Sequence, residues 1–520
     1  RTFTTSMLNS CPLDYTMFGG ENLYYKVSRD PIHSEIFLYP LEILAIDTKP
    51  VQRLRQLSQL VGAEWVYPGA SHNRFAHSLG VMHIAGLYAE RLFQEHSRRR
   101  IVRLAGLLHD VGHGPFSHQF DDVVYKRMGL QDGHDEHRER ILLELMPKEM
   151  FKAYERLSDL KKREAIRKDL KQTMGVEDVT IESLTNLMHE VNNVFKGEEM
   201  GSAEYNVVQG PLGADRLDFL LRDAYHSGTT HFGVGAVDRI IRNAYLKTRD
   251  SKTILCYHVK VLDQIYTSLF GRFMMYKNVY FHKTSRAVDL MIQEILSLVY
   301  KPLNLSERVN DLERFLDLTD QALLTEVKLE AKKIFEKHNV NNEGEIESSD
   351  LSDDEYNLIE AYKILRRLET RDLWKLIVEI AFTAEGADPY VMSVGIVADT
   401  LQKIRLRLEK LIDSKDVPDH DRKIMRRLLD DFEVVFKSDT PYKLSLVHPQ
   451  EFVNSNVFLY DPQSDAVISL EDYVKNYPAY RMLASNLVQI VRIYVTEDVR
   501  EQLTKYSIVP SAKLQLTTRW

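Results

Sequence analysis

Cysteine is almost missing from this chain: Cys11 and Cys256 are the only two in 520 residues. Two thiols cannot build a disulfide framework or a cysteine-rich zinc module, and they fit a reducing compartment. No uninterrupted apolar run approaches the roughly 18–20 residues needed to span a bilayer. An excess of basic charge is missing too: 68 Lys and Arg stand against 76 Asp and Glu, a net charge of −8. The chain as a whole therefore has no general attraction for nucleic acid, although a local patch is not forbidden. Internal repeats are absent. These absences point to an intracellular protein, cytoplasmic or nuclear, with no membrane partner. The first residue is Arg1 rather than Met, which suggests a fragment or processed form, and basic, hydroxyl-rich Arg1–Ser10 reads as an ordinary disordered end.

What is present is helical periodicity. Apolar residues recur at helical spacing over Val51–Gln59, Ser78–His96, Ile101–Leu108, Arg138–Leu145, Asp215–Ala224 and Val261–Tyr280. Strand signals are confined to Ile36–Tyr39, Ile254–His258 and Val457–Leu459, too few for a large sheet. Lys148–Lys171 is dense in Lys, Arg and Glu and reads as a solvated helical excursion. Asn341–Asp354, rich in Asn, Gly, Ser and acids, reads as a flexible linker. Beyond about Tyr442, short strands mix with an expected helix at Met482–Tyr494. The fold class is mainly α with a small C-terminal α+β lobe.

The densest chemistry lies just after the apolar run ending at Leu108. His109 and Asp110 are adjacent, and His113, His118 and Asp121 follow. A single buried histidine is usually a hydrogen-bonded core residue, and Gly112, Gly114 and Pro115 can simply end a helix. The density argues otherwise. Unpartnered buried polar groups cost about 1–3 kcal/mol each, and a metal supplies the partner. Imidazole beside carboxylate suits iron, manganese or zinc, and the further histidines supply groups that exchange protons near neutral pH. The pattern points to a metal-dependent phosphohydrolase.

Two other segments carry suitable side chains. In Pro68–Gly80, a turn feeds a helix with Arg74 and His77 on one face. In Gly213–Asp223, Asp215, Asp218, Arg222 and Asp223 fall along one side of a helix, a pattern that intrahelical ion pairs such as Asp218–Arg222 would also explain. Together, His77, His109-Asp110 and Asp215 resemble the His…His-Asp…Asp ligand set of the HD-domain phosphohydrolases. Asp30-Pro-Ile-His33, Asp47-Thr48, Gln52–Arg55, Gln59-Leu60, Tyr67–Gly80 and Leu104–Asp121 are similar, more narrowly, to the sterile-alpha-motif and HD-containing deoxynucleoside triphosphate triphosphohydrolases. Weaker similarity continues through Leu318-Thr-Asp320, Leu365–Lys375 and Leu487–Val495; no sterile-alpha-motif module is visible.

The resemblance implies an HD-domain helical phosphohydrolase core at 26–300, with the charged excursion at 148–171 inside it. A 1–25 extension precedes it; a helical region at 301–440, with the linker at 341–354, and the 441–520 lobe follow. It implies His77, His109, Asp110 and Asp215 as ligands of a divalent metal (Fe, Mn or Zn), with Mg on the nucleotide phosphates. His118, with Asp121, would act beside the scissile α-phosphate, and His113 and His137 would approach the phosphates, with His134 a competing match for His137. Arg74 and Arg216 would bind phosphate, and Gln59 and Asp223 would read the sugar 3′-hydroxyl. Leu60 and Phe219 would pack on the deoxyribose, and Arg272 and Tyr280 would reach the γ-phosphate and base side.

Lys26, Val27, Asp47, Gln52 and Arg55, with Arg239 and Lys260, match residues that hold an activating guanine nucleotide, GTP or dGTP, between subunits of a homo-oligomer (dimer or tetramer). Departures are Arg138 where the family has an acid, Phe219 where it has a tyrosine, Phe281 where it has a glutamine, and Arg29 and His258 in the second activator site. The implied function is a dNTP triphosphohydrolase releasing deoxynucleoside and inorganic triphosphate. The alternatives are another HD-type phosphodiesterase or nuclease, or a nucleic-acid-binding assembly protein with a residual pocket.

Overall fold

Asn73 starts the central helix. Its side-chain oxygen accepts from the Ala76 amide (3.1 Å), and Arg74–Leu92 follows, buried along most of its length. His96–Leu108 packs against it. At their contact Gly106 carries no side chain, and a Cβ there would lie 3.1 Å from the Met82 Cα, so glycine sets the close approach. Ala214–His226, Leu262–Met275 and Lys283–Val299 add further helices to one large hydrophobic core. The computed structural model describes residues 26–131, 133–198, 201–249, 252–340, 346, 350–383, 389–440, 457–475 and 488–509. The 1–25 extension with Cys11, and much of the 341–354 linker, lie outside the described residues.

Nine short strands make three sheets among the described residues. β1 (Lys26–Asp30) and β2 (Ser34–Leu38) form an antiparallel hairpin. β3 (Ala244–Arg249) and β4 (Lys252–His258) are joined by β7 (Phe458–Asp461) and β8 (Ala466–Ser469), with β7 parallel to β4. β9 (Val488–Val495) runs antiparallel between β5 (Lys375–Thr383) and β6 (Lys437–Asp439), beside a second core around Leu408, Phe432 and Leu503. Among the described residues no helix is long and apolar enough to cross a membrane.

Three expectations are corrected. The segment Met482–Tyr494 is strand, not helix, over its described part. As a central strand it is buried on both faces, and its nearly continuous apolar run imitates helical spacing. Val51–Gln59 is not one helix: a helix ends at Arg53, Leu54–Gln56 makes one tight turn, and the chain then extends. Ser58 bridges Asn73 there, and the Gln59 amide donates to the His72 carbonyl (3.1 Å). The charge-rich 148–171 stretch is helical but not merely solvated, since fully buried Asp169 accepts from Arg100 Nε and the Leu41 amide, both at 3.0 Å.

Candidate active site

Three elements converge on one group of side chains. His77 comes from the central helix, His109 from the end of His96–Leu108, and Asp215 from the first turn of Ala214–His226. Ligand atoms of the three lie within 4.8 Å of one another. His77 Nε2 is 3.1 Å from Asp215 Oδ1, while its Nδ1 is 2.8 Å from Asp218 Oδ2. His109 Nδ1 donates to the Gly106 carbonyl (2.8 Å). In the neutral ring this turns the Nε2 lone pair toward Asp110 Oδ1 (3.2 Å) and Asp215 Oδ1 (3.7 Å). Among the described residues that buried Nε2 has no hydrogen-bond partner. A lone pair facing two carboxylate oxygens calls for a cation, so the residues fit a divalent metal with mixed nitrogen and oxygen ligands.

Asp110 contributes one oxygen to this group, because Arg74 Nη1 holds the other at 2.6 Å. Burial would raise the Asp110 pKa, but Arg74, His109 and His113 hold it well below the usual carboxylate range. Burial likewise opposes charge on His77, yet Asp215 and Asp218 outweigh it and push the imidazole up to about 10. A bound cation would take the place of that proton. Behind His77, Asp218 accepts from Arg222 Nε (2.9 Å) and lies 2.6 Å from His33 Nε2. Arg222 also donates to Asp30 (2.9 Å).

A second group adjoins the first. His118 Nδ1 and His134 Nδ1 lie 3.1 and 2.8 Å from Asp121 Oδ2, and His113 stacks on His134 at 4.1 Å. His118 is 67% exposed at its side chain, whereas His113 is buried. Burial, then Arg74 and His134, drive the His113 pKa well below its ordinary value, so that ring is neutral. Burial opposes charge on His134, but Asp121 outweighs it and raises the pKa. Asp121 itself is held well below the carboxylate range, His134 and His113 overcoming burial. Gly112 permits this grouping: a Cβ there would strike the His134 carbonyl.

His137 is elsewhere, which corrects its expected approach to the phosphates. It is buried edge-on against the Phe315 ring at 4.2 Å, its pKa pushed down to about 3 by burial and then by Arg140 and Arg53. His134 takes the position beside Asp121, one helical turn earlier. Arg74 is also not an open phosphate ligand, being buried between Asp110 and Ser117 Oγ (2.6 Å to each).

The expected sugar residues gather around Asp223. Its oxygens lie 2.7 Å from His72 Nε2 and 2.6 Å from the Tyr280 hydroxyl. His72, which the sequence reading passed over, stacks on His226 at 4.4 Å. Phe219 faces Tyr280 edge-on at 6.4 Å, and buried Arg272 lies 5.8 Å from the Tyr276 ring. Gln59 hydrogen-bonds through its backbone to His72, and its Oε1 is buried without a partner among the described residues. Leu60 is half-buried beside it. Arg216 Nη1 donates to the Gln209 carbonyl (2.5 Å).

Of the expected activator residues, Lys26 and Asp47 share a cleft with Lys162 and apolar Ile43, Leu44, Leu157 and Ile166. Val27 is exposed. Gln52 and Arg55 bond each other (2.9 Å), with Arg55 over the Phe75 ring at 3.6 Å. Arg239 and Lys260 are exposed on other elements.

A helical core presenting paired histidines and aspartates at helix ends defines a class. Residues 74–191 match the HD domain family, and the chain carries an HD domain there. Relatives with this domain include proteins named deoxynucleoside triphosphate triphosphohydrolase, to which the chain is similar. The bovine deoxynucleoside triphosphate triphosphohydrolase SAMHD1 (Bos taurus) is 29% identical over 378 residues, 68% of this chain and 59% of that protein. The human protein of the same name (Homo sapiens) is 32% identical over 324 residues, 58% of this chain and 50% of that protein. The uncharacterized protein MJ1154 of Methanocaldococcus jannaschii is 29% identical over 312 residues, 60% of this chain and 57% of that protein. The chain thus spans between half and three fifths of the length of these relatives.

Proposed function

We propose that this protein is a metal-dependent dNTP triphosphohydrolase, cleaving the bond between the 5′-oxygen and the α-phosphorus. The observation that carries the reading is the adjacency of the two groups, a buried His77/His109/Asp215 set with Asp110 and an open His118/Asp121 pair. A divalent cation held by the first set would polarise a phosphate oxygen and lower the pKa of bound water. Asp121 fixes Nδ1 of His118, leaving Nε2 to hand a proton to the departing 5′-oxygen as water adds to phosphorus. Neutral His113 and His134, whose pKa Asp121 raises, border the same space and can donate to phosphate oxygens. Gln59 Oε1 and the Asp223–Tyr280 pair would read the 3′-hydroxyl, because a site built around buried polar groups penalises a substrate that leaves them unpaired.

Product analysis tests the reading. Each dNTP should yield deoxynucleoside and inorganic triphosphate, with ribonucleotides turned over poorly. Release of monophosphate and pyrophosphate, or cleavage of oligonucleotides alone, would favour the phosphodiesterase or nuclease reading instead. Activation by GTP or dGTP in a homo-oligomer is part of the proposal, supported by Lys26, Asp47 and Lys162 around one cleft. A cation pair with a carboxylate suits phosphates and a guanine edge. Linkage then requires sedimentation and turnover to shift together on adding GTP, and Asp47→Ala to remove both shifts. A chain equally active and equally assembled without guanine nucleotide would leave Asp47 a structural role only.

A further inference from the structure

Asp320 opens the helix Asp320–Lys337, far along the chain from both groups, and is buried. Its two oxygens part company. Oδ1 accepts from the Phe116 amide and Oδ2 from the Ser58 amide, each at 2.7 Å. Phe116 and Ser117 are consecutive non-glycine residues at φ 59° and 56°, the left-handed region that side chains disfavour. Such residues are strained and persist only where surroundings hold them. The next residue is His118. On the other side, Ser58 precedes Gln59.

Further bonds close the ring. Ser117 Oγ donates to the Ser58 carbonyl (2.9 Å) and accepts from Arg74 Nε (2.6 Å), whose Nη1 holds Asp110. Arg53 donates to the His113 carbonyl (2.8 Å) and, through Nη2, to the Leu318 carbonyl (2.7 Å), tying the segment before Asp320 to the same turn.

We infer that Asp320 is a positioning residue: its carboxylate clamps the strained turn carrying His118 to the extended segment carrying Gln59. The clamp fixes the spacing between the proton-transferring group and the hydroxyl-reading group. An alternative hydroxyl-only link through Ser117 would leave the Phe116 amide without its acceptor in a buried turn. The catalytic consequence rests on the proposed function; the clamp itself does not.

Asp320→Asn tests it, since the amide keeps the volume but sets an NH₂ against one of the two backbone donors. Turnover should fall on the order of 10²-fold, as expected for a displaced reacting group, with dNTP KM changed less and metal content unchanged. Amide exchange should accelerate at Ser58 and Phe116 while the helix Arg74–Leu92 stays protected. Ser117→Ala combined with Asp320→Asn should cost less than the two separate losses multiplied, because both act on one clamp. Unchanged turnover in Asp320→Asn, or loss of protection spread evenly through the core, would overturn the inference. If the wild-type chain released no triphosphate from any dNTP, the proposed function would fall, and exchange alone would decide the clamp. Acceleration confined to Ser58 and Phe116 supports it, and unchanged protection removes it.

Discussion

The two histidine groups differ most in what holds their second nitrogen. In the His77/His109/Asp215 group both imidazoles are buried, and each has its Nδ1 engaged by the protein: Asp218 for His77 and the Gly106 carbonyl for His109. Their Nε2 atoms therefore face a common space with Asp215, rigid and charge-seeking. In the His113/His118/Asp121/His134 group one carboxylate serves as hub for all three histidines, and His118 is the most exposed of them. Burial with a fixed tautomer favours holding an ion; exposure with a carboxylate behind favours passing a proton. Similar residue types are thus suited to different chemistry because their surroundings differ.

The contrast is most sharply tested at the metal-type group. His109→Ala with Asp110→Ala should abolish bound metal and reduce activity to background while the fold survives. Elemental analysis showing undiminished metal would break the assignment. At the open group the expectation separates: His118→Ala should lower turnover about 10²–10⁴-fold, the usual scale of general acid–base catalysis, with metal content intact. Metal lost along with turnover would mean that the two groups form one site.

A smaller effect is expected behind His77. Asp218 lies against His77 Nδ1 and is held well below the carboxylate range, Arg222, His33 and His77 outweighing burial. Asp218→Asn should weaken metal affinity roughly 10–100-fold, as loss of an outer partner does elsewhere. Affinity unchanged in a chelator titration would show that the imidazole is oriented by packing alone.

The smallest effect concerns His137, a buried histidine that joins neither group. Its folded pKa is about 3 against an ordinary 6.5, so above pH 6.5 it is neutral folded or unfolded and contributes no pH dependence. As pH falls below 6.5 the unfolded chain takes a proton that the folded one refuses. Stability is lost down to the folded value, by about 2 kcal/mol at pH 5. His137→Phe should keep the contact with Phe315 and flatten the urea-midpoint difference between pH 7 and pH 5. An equal difference in variant and wild type would place the acid sensitivity elsewhere.

The sequence alone determined the mainly helical class and supplied the histidines and aspartates that both groups gather, but it signalled strands at only three places where the structure forms nine among the described residues. His109, Asp110, His113, His118 and Asp121 lie on one helix end and the turns after it, so short-range geometry brings them near each other whatever packs around them. Only the tertiary structure decided which histidine lies beside Asp121. His134 and His137 are one turn apart, and the choice between them comes from the bare backbone of Gly112 and the waiting ring of Phe315. It also decided that Gln59 lies on an extended segment and that Val488–Val495 is a strand, where pairing with β5 and β6 satisfies its backbone. Asp218 does form the intrahelical ion pair with Arg222 that its spacing suggests, but His33, which also lies against it, is 185 residues away. Asp320 reaches Phe116 and Ser58 across 204 and 262 residues. Local spacing carries no information about such contacts, because they form only when distant elements are packed together and a buried donor must find its acceptor.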